Sequence, residues 1–267
     1  GQAVAIQNQL NFSRDMEREA DRVGYGVMTQ AGFEPQGFVS LFEKLQQAAR
    51  LNDSGGYPYL RSHPMTTERI ADMQARQQLL TLASPAPPRL AHQLLSARAR
   101  VLANPGVDAQ RFFSADAQQE NRSPGQRAAA LYAGVMADLR LRDHGLLRAR
   151  LEELRLLTQA DPEAQQQVKW LSAEVALQTG APLQAIALLG TQGKDRAARF
   201  LLAQSRIATG LPAQGALAAQ DLLGWTALQP RDAHGWELLG QALGLQGDTL
   251  RAIRAQAESL ALKFDYA

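Results

Sequence analysis

The chain contains no cysteine, and that absence excludes both a disulfide framework and a thiolate metal site. Its four histidines, His63, His92, His144 and His234, lie far apart in sequence, so no two form a pair of ligands one helical turn apart. No apolar run reaches the roughly 18 residues that a membrane-spanning helix requires. Net charge is scarce too: Lys+Arg 28 against Asp+Glu 26 leaves +2. Only Lys44, Lys169, Lys194 and Lys263 are lysines, and the arginines are scattered beside Glu, Gln and Asp. That is the pattern of solvated helix faces and not of a basic stripe, which argues against nucleic-acid binding. No alternating strand pattern competes anywhere, so the expected fold is all-α. A length of 267 residues allows two domains and a sizeable core.

What is present begins with one helix. Over residues 10–31, Phe12, Met16, Ala20, Val23 and Val27 share a stripe at helical spacing, which is the expected core face. Glu17 and Asp21 fall beside that stripe, in line with Gly24 and Met28. Arg14, Arg18 and Arg22 occupy the far side. Two acids at a half-buried border need a compensating charge, because an unpaired buried charge is costly. A metal ion could supply it, and so could the arginines by pairing along the helix. Gly24 would let another helix approach closely.

After about residue 125 the chain repeats itself. Thr179-Gly180-Ala181-Pro182 matches Thr209-Gly210-Leu211-Pro212, and Gly247-Asp248-Thr249 takes the corresponding place later. Each Gly ends a helix and the Pro or Thr opens the next. Small residues recur at fixed offsets, at Ala173, Ala203 and Gly240 before the turns and at Ala185, Gly215 and Ala252 after them. They stand where two helices of a hairpin must touch. The series Trp236, Leu239, Gly240, Gly247, Ala252 resembles a tetratricopeptide repeat, with Trp236 and Gly240 as packing residues. Gln256 departs from that pattern, where an aromatic is usual. In such arrays the first helices form a concave binding face. The register puts Trp170, Glu174, Phe200, Gln204, His234 and Glu237 there as partner-binding candidates.

Between the halves, Phe38, Leu41, Phe42 and Leu45 outline an amphipathic helix. Residues 51–64 read as a loop, and residues 67–83 and 89–103 as further helices. The polar stretch 114–126, with Pro124-Gly125, is the expected linker. The resulting division is 1–113, a linker at 114–125, and the repeat domain at 126–267.

The run Ser13 to Gly24 contains E-x-x-A-D, preceded by N-x-x-x-S-R and followed by R-x-G. It resembles the second half of the zinc site in the metallopeptidase family of the prenyl-CAAX endopeptidases and HtpX. Ala31-Gly32-Phe33-Glu34-Pro35 looks like that family's helix end. The segment Ser62-His63-Pro64-Met65-Thr66-Thr67-Glu68-Arg69-Ile70 resembles the S/T-H-P-x-x-x-x-R-I stretch of a branch of the family. The resemblance implies that Glu17 is the third zinc ligand. It implies that Asp21 acts behind it, orienting ligands or the reacting water. His63, on a loop ended by Pro64, is implied as a fourth ligand or as a group touching substrate or transition state.

The family's H-E-x-x-H half, which supplies two histidines and the general base, does not occur here. Glu17 and His63 alone cannot close a zinc site. The chain is therefore expected to be inactive alone, with weak or absent zinc binding. It starts at Gly1 and is read as a fragment whose parent is the enzyme. The resemblance implies a zinc endopeptidase of the bacterial periplasm, engaged in outer-membrane protein quality control, and the lack of cysteine suits that compartment. The repeats would dock protein substrates or the outer-membrane assembly machinery. The alternative is a non-catalytic tetratricopeptide adaptor.

Overall fold

The computed structural model describes residues 2–51, 67–78, 89–119, 121–190 and 195–264. Among these residues every regular element is an α-helix, as the sequence implies. The chain divides into two units, Gly1–Pro87 and Pro88–Ala267.

The first unit holds α1 (Gln2–Gln30), α2 (Pro35–Leu51) and α3 (Thr67–Gln78). Gly32 ends α1 in the left-handed region at φ 81°, and the Phe33 amide reaches back to the Met28 carbonyl at 3.1 Å. Only glycine takes that φ without strain, and Pro35 then opens α2 with a φ already suited to a helix. Tyr25, Val39, Phe42, Ile70 and Met73 form the core, with Phe38 packed against it. Tyr25 meets the Phe38 ring edge-on at 5.8 Å.

This core corrects the expected face of α1. Met16, Val23 and Val27 are exposed at 57%, 49% and 62%, and Ala20 is exposed with them. The side chain of Phe12 lies outside the described residues. The buried residues are Asp21 and Tyr25, on the flank that carries the acids. The reason is a charge at the centre of the contact: an arginine from α3 draws the acidic flank inward, and the aromatic Tyr25 follows one turn later. α2 meets Gly24 through Phe38, 3.7 Å from where a β-carbon would stand, so an ordinary contact suffices there.

The second unit is a series of helical hairpins. Its helices are α4 (Leu90–Ala103), α5 (Val107–Asp116), α6 (Pro124–Leu141), α7 (Leu147–Leu157), α8 (Pro162–Gln178), α9 (Pro182–Leu189), α10 (Arg196–Ala208), α11 (Pro212–Leu228), α12 (Ala233–Leu245) and α13 (Thr249–Phe264). Consecutive helices pair, and the first helices α4, α6, α8, α10 and α12 also pack each on the next. Local chemistry sets the turns. Ser123 and Gln126 form a reciprocal cap on α6, and the Asp161 and Asp232 side chains accept from backbone N–H groups at the starts of α8 and α12. Gly180, Gly210 and Gly247 close α8, α10 and α12 at φ 84°, 69° and 81°.

The expected small residues meet as proposed at one hairpin. A β-carbon on Gly240 would stand 3.2 Å from the Ala252 carbonyl oxygen. Gly215 instead faces Ala242 of the next hairpin. Leu171, Leu222, Leu238 and Leu239 are among the fully buried side chains, each worth roughly 1.5–3 kcal/mol of burial.

The hairpin series starts earlier than the repeated turns suggest. α4 and α5 pack on α6, so residues 90–116 lie with the second unit and not with 1–87. Nor is 114–125 a free linker. α5 runs through Asp116, which pairs with Arg122. Arg127 donates to the Ala117 and Gln119 carbonyls at 2.7 and 3.0 Å. The polar residues of this stretch fasten a turn and do not solvate a tether.

Candidate functional site

Two arrangements carry chemistry, one in each unit. In the first, α1 presents Glu17 and Asp21 one turn apart, and α3 presents Arg69 in its first turn. The Asp21 carboxylate accepts both Nε and Nη2 of Arg69, at 2.6 and 2.7 Å. Glu17 Oε2 lies 3.1 Å from Nη1 of the same guanidinium. Asp21 and Arg69 are each only 6% exposed. The Phe42 ring sits 5.2 Å from the guanidinium carbon. A planar fork of donors spanning two carboxylates is the geometry that makes a buried ion pair tolerable. Two of the arginines of α1 serve elsewhere: Arg22 binds Glu19, and Arg18 binds Glu68 at 2.9 Å.

Whether these residues suit a zinc ion is decided by their donors. Both Asp21 oxygens accept from Arg69. No group of three or more His, Cys, Asp or Glu that could hold a metal ion occurs among the described residues. His63 lies outside them. The described residues alone do not fit zinc.

In the second unit, all five first helices line one cavity of about 350 Å³. α4 supplies Arg98 and Leu102; α6 supplies Met136, Leu139 and Arg140. Glu174 comes from α8, Phe200 and Gln204 from α10, and His234 from α12. Arg98 grips Glu174 with two bonds, at 2.9 and 2.6 Å. Burial pulls the Arg98 guanidinium down, but the Glu174 carboxylate more than offsets this and holds it above the usual arginine range. Arg196 is bound to Asp232 at 2.7 and 2.9 Å. Those bonds lower the Asp232 carboxyl to about 2 against the opposing effect of burial, and Trp225 Nε1 helps at 3.0 Å. Phe200 is the hub of this wall: Arg196 stacks on it at 4.5 Å, and Trp225 and His234 meet it edge-on.

Comparison with known proteins bears on the first arrangement. Residues 1–77, which include Glu17, Asp21 and Arg69, match Peptidase family M48. The likeness to that family covers most of the N-terminal unit. The beta-barrel assembly-enhancing protease of Yersinia pestis is 28% identical over 272 residues, covering 97% of this chain and 52% of that protein. The protein of the same name from Escherichia coli K12 is 27% identical over 261 residues, covering 96% and 51%. A mitochondrial metalloendopeptidase, OMA1 of Saccharomyces cerevisiae, is 36% identical over 68 residues, covering 24% and 20%. The chain spans about half the length of the first two relatives.

In the first unit the sequence picked out Glu17 and Asp21, and the structure gathers both on Arg69. It missed the role of Arg69, although that residue stood in the quoted His63–Ile70 stretch. The signal available was its place in the first turn of a helix, beside the apolar Ile70. In the second unit, Glu174, Phe200, Gln204 and His234 line one cavity, as the register groups them. Trp170 packs beside Ala173 and Leu189, and Glu237 pairs with Lys263 at 2.9 Å; neither lines the cavity. The lining residues that sequence reasoning missed include Arg98 of α4, whose hairpin was assigned elsewhere, and Arg140 and Arg196 within the repeat domain.

Proposed function

We propose that this chain is part of a zinc-dependent endopeptidase of the periplasm, acting in outer-membrane protein quality control. The observation that carries the reading is the M48 match across the helix that holds half-buried Glu17 and buried Asp21. The names of the relatives, assembly-enhancing proteases, support the setting. Among the described residues no helix is long and apolar enough to cross a membrane. In the whole protein Glu17 is assigned to the metal, Asp21 to orienting the groups around it, and His63 to a fourth position that it occupies or vacates. The hairpin series is read as a tetratricopeptide-like array that docks substrates or the assembly machinery. Its stacked first helices and their shared cavity support that reading.

A second reading is a metal-free adaptor. It is favoured by the Arg69 clamp, which already balances the acids that a metal would otherwise compensate. The two readings part on one variant. In the whole protein Glu17→Gln should lower zinc content and abolish casein cleavage, because an amide is a much weaker donor than a carboxylate. Wild-type zinc and activity in that variant would refute the ligand assignment. A whole protein that binds no zinc would favour the adaptor.

A further inference from the structure

We propose that the cavity of the second unit receives the C-terminal residue of a peptide, its carboxylate at Arg140 and its apolar side chain against the helix wall. The proposal rests on reading the hairpin series as a docking surface and names what docks there.

Charge is the first argument. Three arginines line the cavity, Arg98, Arg140 and Arg196, against one acid, Glu174. Arg98 is spent on Glu174, and Arg196 is spent on Asp232. Arg140 is different. It is exposed, and its hydrogen bond is a single one, from Nη1 to the Val101 carbonyl at 3.1 Å. No carboxylate pairs with it among the described residues. A guanidinium carries five donors in a rigid fork. Arg140 therefore brings an unneutralised charge, with donors to spare, to the rim of the cavity. The complement is one carboxylate. A polyanion is a poor fit, since phosphate-backbone binding needs many such cations.

The rest of the lining says what the carboxylate is attached to. Leu102, Met136, Leu139, Leu177 and Leu201 give an apolar wall, closed by the Phe200 ring. Gln178 and Gln204 set amides among them, suited to a peptide backbone. A volume of about 350 Å³ is at the small end for a ligand pocket. It suits the end of a chain better than a length of it. A C-terminal residue places a carboxylate and a side chain on the same α-carbon, and its backbone leaves in one direction only. An internal acidic residue would need two exits.

The test uses the chain as it stands, with fluorescein-labelled Gly/Ser hexapeptides and fluorescence anisotropy. One probe ends in leucine with a free carboxylate, one in leucine amide, and one in serine with a free carboxylate. The leucine acid should bind saturably, and the other two about tenfold more weakly, the scale of one charge-assisted bond or one buried side chain. Arg140→Gln should weaken the leucine acid about tenfold and erase its advantage over the amide. Arg140→Lys should keep part of that advantage. Arg140 is exposed, so both variants should fold, which circular dichroism checks. Equal binding of acid and amide would overturn the proposal. So would unchanged binding by Arg140→Gln, or no saturable binding of any probe.

Capture of the proposed assembly partners by Leu102→Ala separates this proposal from the docking reading. If that variant loses capture while every hexapeptide fails, docking stands and the carboxylate assignment falls. If it keeps full capture and the hexapeptides fail, the array docks its partners elsewhere and the carboxylate assignment falls.

Discussion

Replacing Arg69 tests whether the acid pair of α1 is held by protein charge. Arg69→Met keeps most of the volume and removes the cation. Asp21, 6% exposed, then loses the partner of both its oxygens, and Glu17 loses a contact at 3.1 Å. Removing one member of a buried pair costs about 3–5 kcal/mol, because the remaining charge stays desolvated. The stacking on Phe42 adds about 0.5–1 kcal/mol. With a urea slope of roughly 1–3 kcal/mol per molar, the midpoint of the first unit should fall by more than about 1 M.

The tryptophans give the assay its resolution. Trp170, Trp225 and Trp236 all lie in the second unit, so their fluorescence reports that unit alone. Far-ultraviolet circular dichroism sees both units. Arg69→Met should move the dichroism transition and leave the fluorescence transition in place. The double variant Asp21→Asn/Arg69→Met removes cation and anion together and should recover most of the loss. An unmoved dichroism midpoint in the single variant, or no recovery in the double, would refute the clamp.

Two further outcomes follow from the second unit. Asp232 titrates lower in the fold than its ordinary 3.8, at about 2, so its stabilisation is full above the higher value and fades as pH falls between them. The loss is about 1–2 kcal/mol after allowing for the half-exposed Arg196, and Asp232→Asn should flatten the acid limb of a fluorescence-monitored denaturation series; an unchanged limb would refute it. Gly134→Ala should cost about 1–3 kcal/mol, since its methyl group would collide with Ala117 and stand 2.9 Å from Arg150 Nη1, which is fixed on buried Asp138; a wild-type thermal midpoint would show that the neighbours give way.

Much of this architecture was legible because it is written locally. The turns at Gly180, Gly210 and Gly247 carry their own stop and start signals within a few residues, and each folds as read. The buried face of α1 was not legible. Periodicity equates apolar with buried, and that equation fails where an ion pair outranks a stripe of methionine and valine. The deciding partner, Arg69, lies 48 residues from Asp21, beyond any local pattern. The start of the hairpin series was hidden for a related reason. α4 and α5 are joined without the Gly-x-Pro turn, and Arg98 finds its partners Tyr132 and Glu174 34 and 76 residues away. Glu174, Phe200, Gln204 and His234 line one cavity because one register relates α8, α10 and α12, whereas Trp170 and Glu237 do not line it.

The neighbour-on-neighbour packing of the hairpins also bears on how the chain reaches and leaves its native state. Every helix of the second unit finds its main contacts within the same or an adjacent hairpin. Low contact order of this kind favours fast formation, since little loop entropy is lost before contacts are gained. It also lets the series open in pieces. The terminal pair α12–α13 rests on α10 and α11 from one side, so it can fray while α6–α8 stays closed. Amide exchange should therefore grade along the series, fastest at α13 and slowest around Leu131, Tyr132 and Leu171. A cavity assembled from five successive hairpins thus has one wall residue, His234, on the pair that opens first.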